Sequence, residues 1–455
     1  MIADLSSGSV ALGSVRPVVA PLARRYAESV LWQEQAAVPE LGRPALPARA
    51  DCLVVGAGYA GLSAARALAS AGRSVLVVDA EPVGRGASTR NGGMVIPELK
   101  AGPAALARAY GPVGRRMYAE VNEAFDHVES LVAGADAPIA CDYERSGQLY
   151  LAHAERVVPS LQDMAHEHRD ELGEPVRFVP RDELAAEIGS SSYHGGVVFE
   201  RTGGLHPARF HAGLVRLAVD AGAVLAGSTR ATAIEARAGR GAGSGGGRPG
   251  FRVRTTGGVV ESADVIVCTN AYADGLLPAL RRRVLPVGSF VIATEVLDPD
   301  LARSVSPRRR MLVDTKRFLF YWRLTPDGRL LFGGRRSLAP STVAQARDFL
   351  YASMVGVHPQ LSGVRVERAW GGDVAITLDR LPHVGRIRGA WYATGCNGSG
   401  VALNTWLGAR VARHLLGEGA PPSFAELRHR PIPLHRFRRV YLPAVGAWFR
   451  WHDRR

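Results

Sequence analysis

Lysine is almost missing from this chain of 455 residues. Only Lys100 and Lys316 occur, so arginine carries nearly all the positive charge behind a formal net charge of +14. No zinc-finger spacing and no aromatic RNA-reading segment accompany that charge. It therefore reads as a compositional habit, and no nucleic-acid partner is expected. In general terms, such a surface favours anionic ligands or an anionic membrane face. Cysteine is also scarce. Cys52, Cys141, Cys268 and Cys396 are scattered with no CxxC pair, which argues against structural zinc, a disulfide framework and any metal site. A reducing compartment follows more simply. No apolar run reaches membrane-spanning length, and the first residues lack a basic start followed by a clean apolar segment, so a cytoplasmic protein is expected. What remains, 47% apolar and 22% charged residues, is ordinary globular composition, long enough for two folding units.

Against these absences stand 52 glycines, and their positions are informative. In "ADCLVVGAGYAGLSAARALASAGRSVLVVDAE", Cys52 to Val55 form a short apolar run suited to a buried parallel strand. Gly56, Gly58 and Gly61 follow in GxGxxG spacing, with Ala60 inside the motif. Leu62, Ala65 and Leu68 then recur at helical spacing. Ser74 to Val78 give a second buried strand that ends at Asp79 and Ala80. Gly56 permits a tight turn, Gly58 lets a pyrophosphate approach the backbone, and Gly61 lets helix and strand pack closely. The helix start offers unpaired N–H groups to phosphate. Asp79 is placed to accept hydrogen bonds from an adenosine ribose, and it disfavours a 2′-phosphate. The unit predicts dinucleotide binding without separating NAD from FAD.

A second glycine cluster, "GRGASTRNGGMVIP", comes soon after. Arg90, Asn91, Gly92 and Gly93 could bring backbone and an amide against a flat ring, or could form a surface loop. Residues 101–131 show one helical period. Residues 141–151 alternate like a strand, and Asp182 stands where it would cap a following helix. Pro207 suits a first helical turn, and the His206 before it could face substrate or pack. Ala238 to Gly250 reads as a flexible connection. Val265 to Cys268 is another buried strand, ending in a turn at Thr269 and Asn270. From residue 281 to 359 the pattern shifts to longer strands, with a hairpin turn at Pro326-Asp327-Gly328.

Near the end, "YATGCNGSGVALNTWLGARVARHLL" predicts a strand, a glycine-rich turn and a helix. Gly395, Gly398 and Gly400 let backbone pass close to a ligand. With Cys396, Asn397, Ser399 and Val401, they would present the positive end of that helix. The first half-site needs only one end of a dinucleotide, and this turn can hold the other. A flavin fits, because negative charge developing on the reduced ring is stabilised by helix N–H groups.

Taken in order, "VVGAGYAGLSAA", "GRGASTRNGG", "CDYERSGQLYLA", "GGLHPARF", "CTNAYAD", "FYWRLTPDGRLLFGG", "AWGGDVAITLDRLPHVGR" and "YATGCNGSGVAL" resemble the FAD-dependent amine and amino-acid oxidoreductases of the D-amino-acid oxidase, glycine oxidase and sarcosine oxidase superfamily. The nearest likeness is to its gamma-glutamylputrescine oxidoreductase-like branch. The resemblance implies noncovalent FAD and an α/β and α+β fold: a glutathione-reductase-like Rossmann FAD-binding domain beside a second domain on a mixed or antiparallel sheet. It marks Gly56, Gly58, Gly61 and Asp79 for the adenosine and pyrophosphate, Ser88, Arg90, Asn91 and Gly92 for the flavin side, Arg230 near adenine through its backbone, and 395–401 near the ring. It implies hydride transfer from the carbon next to an amine nitrogen to the flavin, giving an imine that water hydrolyses. Several positions depart from the family pattern. Ser399 stands where the branch often has histidine, and Cys396 where an aromatic is common. Gly372 and Gly398 stand where glycine-oxidase-like enzymes hold a substrate carboxylate with arginine. Lys316 does not align with the lysine that promotes oxygen reaction in sarcosine-oxidase-like enzymes. Arg323, Arg335 or Arg336 could replace the missing anchors or lie on a strand surface. Asp373 could attract an amine or cap a turn. Trp370 and Tyr321 could wall the flavin pocket or fill core.

The expected organisation is an N-terminal extension (1–49) packing on the core, a discontinuous FAD-binding domain (50–95, 200–280 and 368–418), a substrate domain (96–199 and 281–367), and a basic aromatic tail (419–455). Packing is favoured over peripheral membrane contact for the tail. The expected partners are a small amine or amino-acid derivative and oxygen or another electron acceptor. The competing readings are a flavin-binding subunit without turnover and an NAD-dependent reductase.

Overall fold

A computed structural model describes residues 19–36, 39, 41–42, 44–134, 138–237 and 250–454. Of the flexible connection expected from the sequence, positions 238–249 lie outside the described residues.

The apolar run Cys52–Val55 lies in the strand Arg49–Val55, in the middle of an eight-stranded sheet. That strand pairs in parallel with Val75–Val78 on one side and with Gly258–Val267 on the other. Val224–Ala226 extends the parallel set beyond Val75–Val78, and Ala390–Thr394 joins in parallel at the end of Gly258–Val267. The hairpin strands Ala231–Arg237 and Gly250–Thr255 complete one flank, and His383–Ile387 pairs antiparallel with Ala390–Thr394. The segments Cys52–Val55 and Val75–Val78 are buried on both faces and so are continuously apolar rather than alternating. Helices Tyr59–Ser70, Pro207–Asp220 and Gly400–Leu415 share one core with one face of this sheet. Leu53, Leu76, Val253 and Val265 build a second core on the other.

The other sheet has nine strands. In spatial order they are Leu22–Ala27, Val366–Ile376, Leu285–Val296, Arg329–Gly334, Tyr321–Leu324, Met311–Asp314, Gln148–Leu151, Gly195–Phe199 and Val176–Pro180. Its central pairs are antiparallel, while Leu22–Ala27 with Val366–Ile376 and Met311–Asp314 with Gln148–Leu151 are parallel. Its core holds Trp322, Phe332, Leu350 and Met354. The fold is mixed α/β with a nucleotide-type parallel sheet and a separate mixed sheet.

Several local expectations are corrected. The helical period over 101–131 is two helices, Pro103–Tyr110 and Pro112–Ala133, broken at Gly111, which has φ +56°. Pro112 cannot continue the first helix but opens the second. The strand expected over 141–151 is confined to Gln148–Leu151. Asp182 caps nothing: it lies inside a 3₁₀ turn, Arg181–Ala186, whose N-cap is Pro180. The tail forms a helix, Arg438–Arg454, held against the mixed sheet. Asp453 accepts the N–H groups of Arg317 at 2.8 Å and Phe318 at 3.1 Å, and Arg317 lies over Trp448. Among the described residues, no helix is long and apolar enough to cross a membrane.

Candidate functional site

The two glycine turns meet because the strands that precede them, Arg49–Val55 and Ala390–Thr394, flank the end of Gly258–Val267 in parallel on its two sides. Gly56 has φ +105°, and a side chain there would lie 2.8 Å from the Cys268 carbonyl. Its N–H reaches Val78 O at 2.8 Å. A methyl on Gly61 would lie 1.8 Å from Gly56 O, so both positions require glycine for packing as well as for the turn. Asn270 links the turn after Gly258–Val267 to the late glycine turn. Its Oδ1 accepts Gly395 N–H at 3.0 Å, its Nδ2 reaches Cys396 Sγ at 3.4 Å, and its carbonyl accepts Thr394 Oγ1 at 3.4 Å.

Between these turns runs one cavity of about 760 Å³, within the roughly 300–1,000 Å³ of ligand pockets. Of the residues marked in the sequence, Gly56, Gly58, Ala60, Asp79, Ala80, Ser88, Arg90, Asn91, Arg230, Thr269, Asn270, Asp373, Cys396, Gly398, Gly400 and Val401 line it. Gly61, Gly92, Gly93, Gly395, Asn397, Ser399, Trp370 and Tyr321 do not. Gly93 instead packs beneath Leu205 O, and Asn397 braces a turn, accepting Thr377 N–H at 3.1 Å and donating to Gly395 O at 2.5 Å. Ser399 is the N-cap residue of Gly400–Leu415 and makes no side-chain cap. Tyr272 and Asn404 also line the cavity, and the sequence reading misses both. Asn404 lies one turn inside the late helix, where its spacing from Gly400 is the available signal.

The electrostatics change along the cavity. Asp79 is mostly buried, and burial raises its carboxyl pKa. The N–H groups of Glu81 at 3.0 Å and Ala57 at 2.8 Å pull the other way. Arg230 does not point a free guanidinium inward, because it pairs with Asp274 at 2.7 Å. The helix Tyr59–Ser70 starts at Gly58 with no side-chain cap, and Tyr59 N–H rests on Ser88 Oγ at 3.1 Å. Its remaining first-turn donors are suited to an anion.

A second cavity of about 940 Å³ adjoins the first and shares Pro82, Arg85, Arg90, Tyr272 and Asp373 with it. Trp370 and Gly372 line this one. Asp373 is half-buried with its pKa raised by burial, and it has no ion pair among the described residues. Arg90 is held by backbone: Nε donates to Arg85 O at 2.8 Å and Nη1 to Gly371 O at 3.2 Å. Tyr321 lies beside Gly92 and Gly333, with its hydroxyl 3.3 Å from Ser289 Oγ. Arg323 is buried, donates to Gly92 O at 2.8 Å and to Leu205 O at 2.6 Å, and has its pKa lowered by burial to about 10. It is fully engaged in holding backbone. His206 packs instead of lining either cavity: it caps Pro207–Asp220 through Nδ1 and meets the Trp32 ring edge-on at 4.7 Å. Lys316 pairs with Asp314 at 3.1 Å and Lys100 with Glu98 at 2.6 Å, both away from the cavities.

An extended dinucleotide fits this arrangement. A carboxylate stands at one end, an uncapped helix start follows it, and a second glycine turn leads into another helix at the far end. FAD would be held by Asp79 at its adenosine ribose, by the Gly56–Gly61 turn at its pyrophosphate, and by the 88–92 and 396–401 segments at its ring.

The comparisons agree with this geometry. The family model described as FAD dependent oxidoreductase matches residues 51–414. The probable oxidoreductase OrdL of Haemophilus influenzae is 34% identical over 385 residues, covering 83% of this chain and 85% of that protein. The gamma-glutamylputrescine oxidoreductase of Escherichia coli is 32% identical over 402 residues, covering 87% and 91%. In fold, the chain is similar to glycine oxidase from Geobacillus kaustophilus, with a TM-score of 0.68 at 21% identity over 84% of this chain and 100% of the other. L-amino acid deaminase from Proteus vulgaris gives 0.67 at 17% identity over 88% and 98%. Paired turns around one long cavity and a family match across most of the chain lead to one conclusion: this protein belongs to the FAD-dependent oxidoreductase family and is an enzyme that uses FAD.

Proposed function

We propose that this enzyme oxidises the C–N bond of a small amine or amine-bearing amino-acid derivative. The observation that carries the reading is Asp373, a half-buried carboxylate in the wall shared by both cavities, with no cationic partner among the described residues. A buried acid without a partner gains from a ligand cation, since a nearby positive charge restores its ionised form. Arg90 and Arg323 are bonded to backbone carbonyls, and the positions matching the family's carboxylate anchors are Gly372 and Gly398. Asp373 would therefore orient an ammonium at the junction, and Trp370 would wall the space beside it.

When bound, FAD supplies the two-electron acceptor for converting an amine to an imine, which water hydrolyses. The chain's own residues bind, orient and exclude solvent. A second reading concerns the acceptor. Neither lysine lines a cavity, which favours an acceptor other than oxygen over a lysine-promoted oxidase reaction. Four unpaired, buried cysteines suit a reducing compartment such as the cytoplasm.

The test is anaerobic mixing with polyamines, gamma-glutamylated amines, N-methyl amino acids and free amino acids, following flavin absorbance. The first two classes are expected to bleach the flavin and free α-amino acids to leave it oxidised. Asp373→Asn is expected to raise KM for the active amine about tenfold or more, with a smaller change in kcat. If no amine in the panel reduces the flavin, the reading fails. Reoxidation by oxygen and by artificial acceptors then ranks the two electron routes.

A further inference from the structure

We propose that the short segment Val30–Ala36 is a strap that sets the geometry of the flavin-side loop, with Trp32 and Gln33 as positioning residues. This rests on the reading that residues 88–92, in the second half of the loop 84–92, hold the flavin side of the cofactor. The segment lies before the residues that the family model matches, which begin at 51.

Three successive carbonyls in the loop are each held by a long side chain from outside it. Trp370 Nε1 donates to Arg90 O at 2.8 Å, Trp32 Nε1 to Asn91 O at 2.9 Å, and Arg323 Nε to Gly92 O at 2.8 Å. Trp370 and Arg323 come from the mixed sheet, and Trp32 from the strap. Because the peptide unit is planar, fixing a carbonyl also fixes the direction of the next residue's N–H. Arg90 O thus sets Asn91 N–H, Asn91 O sets Gly92 N–H, and Gly92 O sets Gly93 N–H. Gly93 N–H donates to Asn91 Oδ1 at 2.8 Å. The N–H groups of Asn91 and Gly92 have no acceptor among the described residues, leaving two backbone donors whose directions are fixed; of the two residues, Asn91 lines the first cavity.

Gln33 ties the other end of the same loop. Its Nε2 donates to Gly84 O at 3.0 Å and to Thr89 Oγ1 at 2.7 Å, and Thr89 Oγ1 in turn donates to Gly84 O at 2.6 Å. The strap is itself anchored on the mixed sheet. Trp32 is 1% exposed, and Val30 and Leu31 are buried with Val291 and Trp370. Glu34 pairs with Arg368, and the preceding strand Leu22–Ala27 lies in parallel beside Val366–Ile376. Two adjacent residues therefore transmit the position of the sheet to both ends of a loop in the nucleotide domain.

The test uses the full chain with FAD removed and added back. Trp32→Phe keeps an aromatic side chain, though a smaller one, and removes the indole N–H. Gln33→Met keeps the length and removes the amide. Both are read singly and together by the FAD dissociation constant from flavin fluorescence, by the visible circular dichroism of bound flavin, and by denaturation midpoints of the apo and holo forms. Each single variant is expected to weaken FAD about tenfold and the pair about a hundredfold, with an altered visible dichroism and a midpoint that falls further in the holo form than in the apo form. Dissociation constants within about twofold of wild type with unaltered dichroism overturn the strap. So does an equal loss of midpoint in apo and holo forms, which would mark ordinary packing. If Trp32→Phe does not fold, Gln33→Met decides alone. Wild-type protein that takes up no FAD overturns the underlying reading as well, so the two failures are distinguishable.

Discussion

Asp79 shows how one residue can be legible in role and not in environment. Its place after the second strand of a glycine-rich unit points to ribose recognition. That burial raises its pKa against two backbone donors depends on Ala57, Glu81 and the sheet around them, none of which spacing reveals. The sign follows from that shift. A carboxyl held above its ordinary value of about 3.9 binds its proton more tightly in the folded chain. Its contribution to apo stability is therefore present below that value and lost as pH rises through the folded pKa. FAD binding through the carboxylate runs the other way and weakens as pH falls through the same point. Asp79→Asn is expected to flatten both dependences and to weaken FAD about tenfold or more at neutral pH, measured by flavin fluorescence across pH. Asn270 is legible only as part of a turn. Its three contacts to 394–396 join residues more than 120 positions apart, and no local pattern encodes such a meeting.

At the scale of elements, apolar period and glycine spacing identify the strands and helices of the nucleotide unit because buried parallel strands and their helices repeat simply. They do not reveal how two helices cross. A methyl on Gly408 would lie 1.9 Å from the Ala60 carbonyl oxygen, so helix Gly400–Leu415 touches helix Tyr59–Ser70 backbone to backbone. Gly408→Ala must push these helices apart. It is expected to cost about 1–3 kcal/mol in urea denaturation of the apo protein and to weaken FAD as well, because both helix starts line the cavity. The same limit explains the missed break at Gly111. The helical period runs on through Pro112, and the apolar residues Leu106, Met117 and Val121 face one core from two helices. Periodicity reports the shared face and passes over the joint.

For the whole molecule, the sequence order of strand-rich and nucleotide-like segments makes a discontinuous pair of sheets readable. The nine-strand order is not, since its first and second strands come from residues 22–27 and 366–376. The tail is ambiguous in sequence because arginine and aromatic residues suit either lipid or protein. The described tail makes protein contacts: Asp453 caps two N–H groups, and Phe449 meets Phe318 edge-on at 5.8 Å. Deleting residues 438–455 is expected to lower the thermal midpoint of the apo protein by several degrees, the scale expected for a few kcal/mol. An unchanged midpoint would show that the helix adds nothing to the fold.

The wide separation of the two glycine turns along the chain also bears on biogenesis. During synthesis, Gly56 and Asp79 leave the ribosome long before the turn at 395–401 exists, and the helix behind that turn closes only at Leu415. A nascent chain can thus build the early nucleotide strands but cannot grip both ends of its cofactor until the turn at 395–401 and the helix behind it have been made. Loading must wait for that second turn, and fragments ending before it should emerge colourless however well they fold.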